Sequence, residues 1–134
     1  MSECIGVRLI LVRHAHSDPG HPDELRPLSA RGREQARELG ERLAAKAPAL
    51  VLASPLLRAR ETAAAIAKAT GAELRVDDRL APGADADALL AAVDGAEGAV
   101  VTVGHQPDCS EIAASLGAGE QEFPPAGALE IELR

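Results

Sequence analysis

Short apolar runs alternating with longer stretches of helical periodicity limit this chain to few folds. Residues 7–12 are aliphatic and β-branched, "ALVLAS" spans 49–54, "AELRV" spans 72–76 and "GAVVTVG" spans 98–104. Each has the length and composition of a strand, and the first two read as buried. Between the first two, Ser29 is placed to cap a helix running to about Lys46. Ala36, Leu39, Leu43, Ala44 and Ala47 form its apolar stripe, and Pro48 stops it. Ser54-Pro55 predicts an N-cap followed by proline at the first helical position, with that helix ending near Thr70 at Gly71. Shorter helices are expected over 86–93 and from Pro107 to about Leu116. "ALEIEL", 128–133, alternates apolar and charged residues and reads as an edge strand. Strands that alternate with helices predict an α/β fold, a three-layer sandwich with a largely parallel central sheet and helices on both faces. At 134 residues, a single domain over 1–134 is expected.

In such sheets, ligands bind beyond the carboxyl ends of the strands. Three segments lie there: Arg13-His14 after the first strand, Ser54-Pro55-Leu56-Leu57-Arg58 after the second, and Gly104-His105 after the fourth. Arginine offers a planar, permanently charged fork to phosphate oxygens, and histidine can attack phosphorus and carry it covalently. Two arginines and two histidines at one rim therefore suit a phosphoryl group. A metal site is the rival, because His14, His16, Asp18 and His21 crowd into eight residues. The zinc pattern HxHxDH fails, however, since position 19 is Pro and the next histidine is His21. A non-catalytic phosphoryl-binding module is the other rival.

Each of these residues has a plainer reading. Arg58 alone would pair with Glu61 or Thr62 one turn on, and His105 alone would be structural. Arg60 is expected to face solvent, His16 and His21 to be solvated loop residues, and Ser29 and Ser54 to be caps. Cys109 opens a helix, where a thiol pKa can be lowered, but reads as incidental. Cys4 and Cys109 form no disulfide framework, and the Cys-dependent phosphatase spacing is absent because Ile10 and Ser115 stand where its arginine would be.

A net charge of −7 disfavours nucleic acid or an anionic membrane as partner, and one Phe with no Trp or Tyr gives no base-stacking platform. No apolar run approaches a membrane span and the N-terminus lacks a signal-peptide pattern, so a cytoplasmic monomer is expected.

The markers "RHA" (13–15), "RPLSARGREQA" (26–36), "SPLLRARETA" (54–63) and "VGHQPD" (103–108), in this order, resemble the histidine phosphatase (phosphoglycerate mutase-like) superfamily over nearly the whole chain. The short length without an inserted lid is most similar to its SixA-type phosphohistidine phosphatases. The resemblance implies that His14 is a nucleophile, transiently phosphorylated, with Arg13, Arg58 and His105 clamping the phosphoryl oxygens, and that no metal or cofactor takes part. The expected substrate is a phosphorylated protein carrying phosphohistidine, with a small phosphoester or nucleotide-derived phosphate as the alternative. Two positions depart from the pattern. The usual glycine after Arg-His is Ala15. The acidic proton donor many members carry after the third strand has no clear counterpart in "DDRLAPGADADALL", leaving Asp18, Asp85 and Asp87 as candidates. A phosphoramidate has a readily protonated leaving group and tolerates a missing acid better than an alkyl ester does.

Overall fold

A computed structural model describes residues 6–133. Five strands and four α-helices alternate: β1 Val7–Arg13, α1 Ala30–Leu43, β2 Leu50–Ala53, α2 Leu57–Thr70, β3 Glu73–Val76, α3 Ala86–Val93, β4 Gly98–Gly104, α4 Asp108–Ser115 and β5 Ala128–Leu133. The sheet order is β3-β2-β4-β1-β5. β1 to β4 are parallel, and β5 runs antiparallel to β1 at one edge. The expected α/β sandwich is therefore present, with β5 as the edge strand its alternation predicted.

The two sheet faces bury alternate strand residues, as the period of two requires. Ile10, Val12, Val51, Val101 and Val103 pack under Ala36, Leu39, Leu43, Ala59, Ala63 and Ile66 of α1 and α2. Leu9, Leu11, Leu52 and Val100 face Leu89, Val93, Cys109 and Ile112 of α3 and α4. Helices α1 and α2 approach closely because Gly40 carries no side chain; a Cβ there would lie 2.9 Å from Ala69 Cβ and 3.0 Å from the Ala65 carbonyl oxygen.

Register places the site. Arg13 pairs with Gly104 across β1 and β4, and Ala53 pairs with Val103 across β2 and β4. Three strands thus end level, so the residues that follow them, His14, Ser54 and His105, emerge side by side. Backbone hydrogen bonds fix this: His14 N donates to Gly104 O and Ser54 N to Val103 O, each at 3.0 Å.

Several helix ends differ from expectation. α1 stops at Leu43, and its continuation tightens into a 3-10 turn over Ala44–Lys46 before Ala47 turns left-handed (φ 49°). Ala44 and Ala47 are both exposed, so the apolar stripe ends at Leu43. α2 begins at Leu57 with Leu56 as N-cap, so Ser54-Pro55 precedes the helix instead of opening it. Residues 17–28, between β1 and α1, contain a 3-10 turn at Asp23–Leu25 and a bridge between Ser17 and Leu28. β3 forms the other edge and all four of its residues are exposed.

Candidate active site

A pocket of about 270 Å³ opens at the carboxyl ends of the strands, lined by Arg13, His14, His16, Ser17, Arg26, Arg58 and Pro125. His105 lies buried beside it, its ring centroid 5.3 Å from that of His14. The four residues the sequence singled out, Arg13, His14, Arg58 and His105, are therefore brought together.

The turn after β1 aims His14. Ala15 takes the place of the usual glycine and is fully buried; its N–H donates to Thr62 Oγ1 at 3.0 Å, and that hydroxyl donates to the Arg58 carbonyl at 2.8 Å. Thr62 thus ties the His14 turn to the first turn of α2. The His14 carbonyl accepts from Ala126 N at 3.1 Å. His14 Nδ1 lies 2.7 Å from the Ala15 carbonyl oxygen. A carbonyl only accepts, so Nδ1 carries the proton and Nε2 keeps its lone pair. Burial lowers the His14 pKa to about 4, with the Arg58, Arg13 and Arg26 guanidinium groups adding to the effect and the Ala15 hydrogen bond opposing it. The imidazole is neutral at pH 7.

His105 is held by Ser54, with Nε2 2.7 Å from Ser54 Oγ. Burial and the neighbouring His14 and Arg58 lower its pKa to about 4, against an opposing pull from Asp23. Its Nδ1 is buried without a hydrogen-bond partner, as is Arg13 Nε. Buried polar atoms are normally satisfied, so two unpartnered atoms in one cluster mark a place for a polar ligand. Arg13 is oriented by donation from Nη1 to Phe123 O at 2.9 Å. Ser54 therefore supports His105 and does not cap α2. Ser29 does cap α1, accepting from Gly32 N at 2.9 Å, but its hydroxyl also lies 2.7 Å from His16 Nδ1.

His16 is accordingly a half-buried wall residue and not the solvated loop residue expected; its N–H also donates to Gln35 Oε1. Gly32 makes this approach possible, since a Cβ there would sit 1.9 Å from the His16 carbonyl oxygen. His21 is exposed, as expected. Arg60 is half-buried, its Nε donating to Pro55 O, where solvent was expected. Glu61 accepts from Leu28 N, so it is not the partner of Arg58. The Cys109 thiol is buried 3.6 Å from Val12 O, and burial pushes its pKa up to about 12, the reverse of an activated helix-start cysteine. Cys4 lies outside the described residues.

None of the three candidate acids lines the pocket. Asp85 caps α3 by accepting from Ala88 N, Asp87 is exposed in the first turn of that helix, and Asp18 is exposed, its carbonyl accepting from Arg26 Nε. Nor do His14, His16, Asp18 and His21 gather: among the described residues no three His, Cys, Asp or Glu side chains are grouped to hold a metal ion. Arg26 and Asp23 escaped the sequence reading as site residues, as did Ser17 and Pro125 of the pocket lining. Arg26 opens the "RPLSARGREQA" segment and lines the wall. Asp23, three residues earlier, bonds to both Arg26 and Arg58; nothing in its local sequence separates it from an ordinary loop acid.

A parallel sheet whose level strand ends present arginine and histidine to one pocket has the charge and shape to receive a phosphoryl group. The sequence profile of the histidine phosphatase superfamily (branch 1) matches residues 9–82, and the chain belongs to that superfamily. An uncharacterized protein of Picosynechococcus sp. is 37% identical over 102 residues, which cover 71% of this chain and 62% of that protein. The chain thus spans less than two thirds of that relative's length. Among solved structures, the protein histidine phosphatase SixA complexed with tungstate superposes with a TM-score of 0.80 at 22% identity, covering 92% of this chain and 86% of that one. A putative phosphohistidine phosphatase SixA from Nakamurella multipartitia gives 0.76 at 26% identity, covering 96% of each chain. A mycobacterial glucosyl-3-phosphoglycerate phosphatase complexed with VO3 gives 0.74 at 24%, covering 92% of this chain and 90% of that one. The fold is that of SixA-type histidine phosphatases. Among the described residues, no helix is long and apolar enough to cross a membrane.

Proposed function

We propose that this chain is a metal-independent phosphatase working through a phosphohistidine intermediate on His14, with phosphohistidine on a protein as substrate. The observation that carries the reading is the state of His14: a neutral imidazole, its Nδ1 proton committed to the Ala15 carbonyl, its Nε2 free beside Arg13 and Arg58. Nε2 attacks phosphorus, the N–P bond forms as the bond to the leaving atom breaks, and Arg13, Arg58 and His105 bind the equatorial oxygens as charge spreads over them. Water then attacks phosphorus, the N–P bond breaks, and inorganic phosphate leaves with His14 neutral again. The two arginines neutralise the phosphoryl group without a metal ion. With none of Asp18, Asp85 and Asp87 in the pocket, the chemistry favours a leaving nitrogen that protonates readily over an alkoxide. The similarity to SixA-named structures agrees with that substrate class. A small phosphomonoester is the second reading, favoured by the likeness to a glucosyl-3-phosphoglycerate phosphatase.

The test is to trap the intermediate. The protein is mixed with a phosphohistidine-bearing protein, quenched in alkali and digested, and the peptides are weighed. Phosphate is expected on His14 alone, and His14→Ala is expected to lose both the adduct and turnover while keeping its circular dichroism spectrum. Turnover by a folded His14→Ala protein, or phosphate on another side chain, refutes the reading. Rates on phosphohistidine protein, sugar phosphates and nucleotides separate the two substrate classes.

A further inference from the structure

The Asp23 carboxylate stands beside this pocket, bound to two of the arginines that line it. Arg58 Nη2 donates to its Oδ2 at 3.1 Å, and Arg26 Nη1 donates to its Oδ1 at 3.0 Å. Arg58 Nη1 also donates to the Asp23 carbonyl at 2.9 Å. One anion therefore bridges two of the guanidinium groups in the cluster around His14. The two halves of the Arg58 pair are built differently. The Arg58 side chain is 9% exposed and that of Asp23 60% exposed, on a 3-10 turn with no buried residue. The cation belongs to the packed floor; the anion reaches in from a solvent-facing turn.

Such a carboxylate is easily exchanged. An ion pair with one partner in water is held weakly, and a phosphoryl dianion brings more charge and more acceptor oxygens to the same forks. Nor can Asp23 serve as the missing acid at neutral pH. Its hydrogen bonds from Arg26 and then Arg58 hold its carboxyl below the usual range, so it carries no proton to give. Its charge also acts on the His105 ring. A negative charge thus sits on two of the arginines that line the pocket, in competition with an anionic substrate.

We propose that Asp23 is a specificity-determining residue, an internal anion that holds the position between Arg58 and Arg26 until a phosphorylated substrate displaces it. The inference rests on reading the pocket as a phosphoryl site. It follows that small free oxyanions, the product phosphate included, bind weakly. Phosphoryl groups carried on a larger body, able to push the 23–25 turn aside, are favoured over them.

Orthophosphate binding by isothermal titration calorimetry tests this without any turnover, on the wild type, Asp23→Asn and Asp23→Glu. Asp23→Asn keeps shape and an acceptor oxygen but loses the charge. Its Kd for orthophosphate is expected to fall about three- to tenfold, and its KM for a small phosphomonoester to fall by a similar factor while kcat moves less. Asp23→Glu, which restores the charge, is expected to bind as the wild type does. Equal or weaker phosphate binding by Asp23→Asn overturns this inference alone. So does a loss confined to kcat, which would make Asp23 a positioner of Arg58. No phosphate binding by any of the three proteins overturns the phosphoryl reading itself, and this inference with it.

Discussion

Lowering the pH from 7 to 5 is expected to cost this fold about 2 kcal/mol for each of the two site histidines. His14 and His105 are both held at a pKa of about 4 against an ordinary 6.5, with burial the largest cause at each. Unfolding releases both rings to water, where they take up protons near pH 6.5. Between pH 6.5 and 4 the unfolded chain therefore binds more protons than the folded one, and stability rises with pH across that window. Well above pH 6.5 both states hold neutral imidazole and the effect disappears; as the pH falls through 6.5 toward 4, stability is progressively lost. Integrating one such shift from pH 7 to 5 gives ~2 kcal/mol, and the pair gives ~3–4 kcal/mol, a large part of the 5–15 kcal/mol typical of a domain. Carboxylates blur this little. Asp23, Glu34, Glu73, Asp77 and Glu130 are held below their ordinary 3.8 or 4.5, so their contributions are present above those values and fade only below pH 5. The assay is urea unfolding followed by circular dichroism at pH 7, 6 and 5 for the wild type, His14→Gln and His105→Gln. Each variant is expected to lose about half of the pH dependence. A wild type equally stable at pH 7 and 5, or variants with its full pH dependence, would refute the burial argument, and with it the claim that His14 is neutral for a physical reason.

Arg58→Lys keeps a charge but loses the planar fork, so turnover is expected to fall about 10²–10³-fold and vanadate inhibition to weaken; equal vanadate inhibition of parent and variant would mean Arg58 does not touch the phosphoryl group. Activity is expected to survive exhaustive chelation, because Arg13 and Arg58 supply the positive charge; loss of activity restored stoichiometrically by zinc or manganese would favour a metal site instead. Gly32→Ala puts a Cβ 1.9 Å from the His16 carbonyl oxygen and is expected to destabilise the fold by about 2–4 kcal/mol, read by urea unfolding; an unchanged midpoint would show that α1 can shift away from the His16 loop freely.

The sequence determined the fold class and which residues meet in the proposed site, because both rest on local signals. Val, Leu and Ile runs of strand length, divided by helices with Gly71 or Pro48 beyond their ends, leave a parallel α/β sheet as the economical solution. In such a sheet the residue after each strand faces the rim, so His14 and His105 could be placed without coordinates. The tertiary structure decided what surrounds them. The strand order, with β4 between β2 and β1, is set by which faces pack, and it alone puts Ser54 under His105. The neutrality of His14 comes from burial and from a carbonyl at its Nδ1, neither of which has a sequence signature. His16 looked solvated because its partners, Ser29 and Gln35, lie on another element brought close by the bare backbone of Gly32. Asp23 looked like any loop acid for the same reason: its meaning comes from Arg58, 35 residues away, and contacts between distant segments exist only once the chain is packed.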